Sequence, residues 1–408
     1  MSTTIVNLET KDLAPPAGLV RKLQMRGLIV GGVAAVLAII AAITAPEHFL
    51  RGYLIGYMWC LGAALGSLAL VMLGHLTGGN WFLLGRRIME AATRTLPLLA
   101  VMFIPIALGV HELYIWADAA HVAGDHVLEL KKAYLNTPGF ILRAIVYFAI
   151  WLLFMWKINA GSAEQDRNAS PAVWQRLKVW SAPGILVYAL TMTFASVDWC
   201  MSLDPHWYST IYGFLFIAGQ LLTTFAFTLV MLSWFSSERP ISEVFFKDRL
   251  HDFGKLTFAL TMVWAYFSFS QWLIIWSGNL PEEIIWYLDR IKGGWQVVAI
   301  LLVFLQFALP FSLLLSRHIK QNPRKLVPIA VLVLFMRVVD LFWLIAPNPI
   351  PGHAHAEPHF SLHWAYIVTP IAVIGLWLAF FAWNLAKRPM LVRTDPQLPR
   401  LWEHSHGH

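Results

Sequence analysis

The chain has 408 residues, 58% hydrophobic and only 13% charged, with a formal net charge of +7. A soluble domain carries about twice that charged fraction, so lipid is the expected solvent for most of the chain, and no nucleic-acid partner is needed to explain the positive balance. Two cysteines, Cys60 and Cys200, exclude a disulfide framework and a protein-held iron–sulfur cluster, and no C-x-x-C-H stretch attaches a c-type haem.

Residues 1–26 form a polar tail, followed by a first apolar run read as a retained anchor helix. Crossing a bilayer takes about 20 mostly apolar residues. Ten stretches qualify: 27–45, 52–74, 96–117, 139–158, 179–199, 208–234, 255–277, 294–316, 326–346 and 363–386. None alternates with period two, and lipid tolerates only helices or closed barrels, so an all-α polytopic membrane protein is expected. Spans two to five and six to nine have matching lengths. The third and seventh end alike, as "HELYIWA" (111–117) and "QWLIIWS" (271–277). This pattern predicts two four-helix bundles, 52–199 and 200–346. A flanking helix lies in 27–51, and a His-rich loop with the last helix in 347–386; 387–408 is a tail. A single irregular ten-helix bundle is the plain alternative.

Lys and Arg set the direction. Of the 30, 23 fall in one alternate set of segments and five in the other, with Arg143 and Arg337 inside spans. Both termini are therefore expected in the cytoplasm, which an even number of helices allows.

Ionisable side chains at bilayer depth are costly and become candidate sites. With this direction, His111, Glu112, Arg143 and Asp198 fall near the outer face, and Arg337 near the midplane with Asp340 one turn beyond. The inner half offers only neutral polar groups such as Gln220, Thr223, Thr228, Thr257 and Gln306. A polar outer vestibule above an apolar floor is the expectation. Asp198, Asp204 and His206 of "SVDWCMSLDPHWYSTIYG" (196–213) would form its lip. Trp199, Trp207 and Tyr208 would be interfacial aromatics, and Asp204-Pro205 would open the sixth helix as N-cap and first residue.

Each candidate also has a packing role open to it: capping for Asp204, an internal ion pair for Arg337 and Asp340, an interhelical hydrogen bond for Gln271, and simple interfacial placement for His111 and Glu112. The loop with His353, His355, His359 and His363 has no fixed metal geometry, and no metal or haem is assigned to this chain.

"SVDWCMSLDPHWYSTIYG", "GHLTGGNW" followed by "RR", "QWLIIWSGNLPEE" and "MRVVDLFWLIAP" together resemble the NrfD-like, polysulfide-reductase-anchor-type membrane subunits of bacterial alternative complex III, the second of its two such subunits most of all. The resemblance runs from about residue 20 to 390. It implies ten helices in two four-helix bundles in the bacterial inner membrane. It implies membership of a quinol:cytochrome c (or other acceptor) oxidoreductase, not catalytic alone, as a scaffold and proton path or quinone-associated subunit. Implied partners are a paralogous NrfD-like subunit, a periplasmic iron–sulfur subunit and c-type cytochromes, which would carry the clusters and haem c. The proton or quinone site would draw on His111, Glu112, Asp198, Asp204, His206, Gln271, Arg337 and Asp340. A stand-alone secondary transporter and a purely structural anchor are the competing functions.

Overall fold

The computed structural model describes residues 12–168, 170–351 and 359–402. Among them there is no strand, and ten helices are long and apolar enough to cross a membrane; the chain is an all-α polytopic membrane protein. The spans are α1 Ala17–Thr44, α2 Pro46–Thr77, α3 Asn80–Leu108, α4 Thr137–Gln165, α5 Pro171–Trp199, α6 Tyr212–Phe235, α7 Lys247–Gly278, α8 Trp295–Leu315, α9 Pro323–Ile345 and α10 Ala365–Leu385.

Helix α2 is enclosed along its length and α6 nearly so. They pack on each other, α2 also against α3, α5 and α10, and α6 against α5, α7 and α9. Helix α1 leans on α10. A Cβ on Gly31 would fall 2.6 Å from Leu376 N, so only glycine lets these backbones approach. Van der Waals contact of this kind holds membrane helices together, because burying apolar surface out of lipid gains little. Met390 N donates to Leu13 O at 2.7 Å, which puts the segments outside α1 and α10 on one face, here the terminal face.

Two elements depart from the expected spans. Helix α3 starts at Asn80, not near 96, because Gly78 and Gly79 adopt positive φ and turn the chain directly out of α2. It breaks at Arg94–Thr95 and loosens beyond Met102, so 110–117 are short turns past the span. Helix α6 starts at Tyr212, not 208, and Asp204 does not cap it: Asp204 Oδ1 accepts from His206 N within its own loop.

On the face opposite the termini, two arginines bind the end of α9. Arg51 donates to the carbonyls of Ala346 (2.8 Å), Asn348 (2.6 Å) and Pro349 (2.5 Å). Arg290, from the short helix Pro281–Ile291, donates to those of Trp343 and Leu344 and to Asn348 Oδ1 (2.7 Å). Both cations answer the partial negative charge at a helix C-terminus.

Candidate functional site: a bilayer-facing cavity beside a buried ion pair

The helix Pro281–Ile291 lies between α7 and α8 and roofs a cavity of about 720 Å³. Its walls come from α7 (Tyr266, Phe269, Trp272) and α8 (Ile300, Val303, Phe304, Phe307), with Asp340 and Trp343 of α9 at the back. Tyr266, Phe269, Val303 and Phe304 are each more than half exposed, so the mouth opens where lipid surrounds the protein. Size and lining suit a lipophilic ligand held by a few convergent polar groups.

Those polar groups form two linked sets. Gln271 of α7 is buried; its Nε2 donates to Tyr287 Oη (3.1 Å) and its Oε1 accepts from Ser209 Oγ (3.1 Å). Burial pushes the Tyr287 phenol up to about 12, against the opposing pull of Gln271 and Arg290, so it remains a neutral hydrogen-bonding group. Asp340 accepts from Trp264 Nε1 (3.3 Å) and pairs with Arg337, both through Oδ2. The spacing of three places Arg337 and Asp340 on one face of α9. Arg337 packs against Gly219 of α6, where a Cβ would lie 2.1 Å from Nη2.

The cavity wall of α8 is irregular. Leu302–Ala308 is a π-helix, and the cause is local: Pro310 has no N–H for the carbonyl of Gln306 and its ring crowds that oxygen. Single-turn π segments concentrate at functional sites. Gln306 is fully buried, and its side-chain amide has no hydrogen-bond partner among the described residues.

Asp198 of α5 belongs to a separate cluster. Its Oδ2 accepts from Arg143 Nε of α4 (2.9 Å) and Tyr147 Oη (2.8 Å), while Oδ1 is buried without a hydrogen-bond partner among the described residues. The Arg143 guanidinium stacks 4.0 Å over Tyr134, outside the span.

The remaining expected residues do not join either cluster. His206 Nε2 meets Asp125 Oδ2 at 2.6 Å, tying two exposed loops. His111 and Glu112 are exposed on a short turn. Trp199 and Trp207 are packed inside rather than interfacial, Trp207 stacked on Trp286 at 4.3 Å. His353 and His355 lie outside the described residues, and His363 stacks on His48. Among the described residues, these groups do not line one common vestibule.

Charged side chains are also buried within α3, in a stretch that hydropathy alone leaves outside the spans. Arg86, Arg87 and Glu90 sit within the terminal-side half of α3, each at most 1% exposed. Glu90 Oε1 accepts from Arg86 Nε (2.8 Å) and Ser162 Oγ (2.7 Å), and Oε2 from Arg87 Nη1 (2.9 Å). Arg86 also reaches Asp395 (3.2 Å) and Arg87 pairs with Asp166, so the network binds α3, α4 and the segment after α10. The R-R-x-x-E spacing, with pairs at i,i+3 and i,i+4, is the signal that marks these residues as helical rather than loop.

No family model matches the chain, and no curated protein matches it either.

Proposed function

We propose that the chain is a membrane subunit of a quinol:acceptor oxidoreductase of the alternative complex III type, and that its cavity takes the head group and first isoprenoid units of a quinone or quinol. The observation that carries this reading is a bilayer-facing aromatic cavity ending on a carboxylate. An apolar tail reaches such a mouth from the membrane without passing through water. A quinol, when bound, supplies two hydroxyl hydrogens and two electrons. Asp340 is positioned to accept one hydroxyl hydrogen bond, since both its protein donors meet Oδ2. Arg337 supplies the counter-charge beside that carboxylate in a medium that gives it little solvation. Tyr287 and Gln271, linked to each other, orient the opposite oxygen, and the Phe and Trp walls exclude water. The electrons would pass to the partners that the resemblance implies: an iron–sulfur subunit, c-type cytochromes and a paralogous NrfD-like subunit. The charge distribution supports the terminal face as cytoplasmic and the cavity as lying toward the periplasm of a bacterial inner membrane.

The test is photo-crosslinking with an azido-quinone in the native complex, followed by peptide mapping, with turnover measured in parallel. Label on α7, α8 or α9 that is displaced by excess quinone supports the site. Loss of turnover in Asp340→Asn with quinone labelling retained assigns Asp340 to the chemistry. Labelling confined to a partner subunit, with turnover unchanged in Asp340→Asn, leaves this chain a structural anchor.

A further inference from the structure

The same chain carries a second polar region that the quinone reading does not use, on the terminal face between α3, α4 and α10. Arg94 Nη1 and Arg388 Nη1 both point at one oxygen, Asn159 Oδ1, at 3.1 and 3.5 Å. Arg94 Nη2 donates to the Asn384 carbonyl (2.8 Å), and its Nε is buried with no partner. Two guanidinium groups thus share a neutral acceptor. The nearest carboxylate, Glu90, is 3.9 Å from Arg388 and is already held by Arg86, Arg87 and Ser162. Lys387 lies over the Trp383 ring and is close enough to feel the charge of Arg94. Five cations (Arg86, Arg87, Arg94, Lys387, Arg388) therefore face three carboxylates (Glu90, Asp166, Asp395). Like charges held this closely are destabilising unless an anion comes between them.

The depth and surroundings say which anion. Asn384 is in the last turn of α10, where the apolar span ends. Trp383 is 45% exposed and Trp156 of α4 is 58% exposed, as aromatic side chains at headgroup level are. Leu153 of α4 is 44% exposed on the bilayer side, where an acyl chain would lie. Basic groups between helices at this level recognise lipid phosphates, and a guanidinium pair matches phosphate oxygens bidentately.

We infer that the cluster of Arg94, Lys387 and Arg388, set around Asn159 and Asn384, binds the phosphate of an anionic phospholipid. The lipid neutralises the excess charge and fastens the segment after α10 to the α3–α4 edge.

The full chain in detergent is titrated with phosphatidylglycerol, with phosphatidylcholine and, separately, with millimolar inorganic phosphate, and read by native mass spectrometry. Phosphatidylglycerol should bind preferentially and resist competition by phosphate. Lys387→Gln, at an exposed position, and Arg388→Gln should each weaken it about fivefold, and Arg388→Lys, which keeps the charge but not the bidentate fork, should recover only part of the loss. Arg176→Gln, an exposed arginine paired with Glu164, should change nothing. Equal binding of the two lipids, or unaltered binding in Lys387→Gln and Arg388→Gln, overturns the inference. Displacement of the lipid by inorganic phosphate overturns the lipid assignment in favour of a free-anion site.

Discussion

A methyl group placed on Gly219 tests whether the Arg337–Asp340 pair is held in one position or merely accommodated. The added Cβ would lie 2.1 Å from Arg337 Nη2 and 2.5 Å from Cζ, inside any tolerable contact. The far end of an arginine normally swings away from such a clash at little cost. Here it cannot, because the guanidinium is 4% exposed and bonded to Asp340 at the back of the cavity. Overpacking alone costs about 1–3 kcal/mol. Partial loss of the pair adds a share of the roughly 3–5 kcal/mol that breaking a buried ion pair costs, and alanine's helix propensity returns about 1 kcal/mol. The net expectation is about 2–4 kcal/mol, or an apparent Tm lower by roughly 4–8 °C. Gly32→Ala is the control, since nothing lies within 4 Å of its added Cβ. The same Gly219→Ala change is then made in an Arg337→Met, Asp340→Asn background, where the clash partner is a flexible neutral chain. If the reasoning holds, most of the penalty disappears there, an interaction energy readable as a double-mutant cycle. Equal Tm values for Gly219→Ala and Gly32→Ala in the wild-type background would refute it, as would an undiminished penalty in the neutral background.

Three further outcomes follow from the polar clusters. Glu90→Gln leaves Arg86 and Arg87 without their shared charge and should cost about 3–5 kcal/mol, seen as faster proteolysis of the segment after α10. Tyr147→Phe removes one bond to Asp198 and should cost only about 1 kcal/mol in Tm terms, with Asp198→Asn costing more because Arg143 loses its counter-ion. The Asp125–His206 contact sets a small acid dependence. Burial alone would raise the Asp125 carboxyl, but bonds from His206 and the Leu128 and Val127 amides hold it below its usual value. A depressed carboxylate stabilises the fold above the unfolded pKa near 4 and loses that contribution as pH falls through the lower folded value. Hydrogen exchange in residues 122–132 should accelerate as pH drops from about 5 to below 4, after correction for intrinsic rates, and Asp125→Asn should abolish the dependence.

The ten helices were legible because a run of about 20 apolar residues has no other fate in lipid. Their ends were less so, and the reason is instructive at α3. A hydropathy reading places Arg86, Arg87 and Arg94 in a loop, since charge ends an apolar run. The chain instead neutralises Arg86 and Arg87 internally with Glu90 and buries both as helix. The Arg337–Asp340 pair could be found from its spacing alone, and Gln271 from its place in the seventh span. Their meeting at one cavity could not, because it depends on how α7 and α9 pack. Asp198 looked like part of the same site because of its depth; depth is a one-dimensional coordinate, and the two carboxylates lie on different helices with different partners. The partners that give the cavity its chemistry, Tyr287 and Trp264, are aromatic residues among many, with nothing in the local sequence to single them out.

The encasement of α2 bears on how the molecule is made. Gly52 and Gly56 of α2 fit against Ala365 and Pro370 at the start of α10, with a Cβ on Gly56 only 2.7 Å from the Pro370 backbone. Helix α2 emerges from the ribosome well before α10. Until α10 is made, that glycine face has only lipid tails or a chaperone to rest against. The interior of this protein is therefore sealed only once α10 has been translated, and a nascent chain stalled ahead of it holds an open seam along α2.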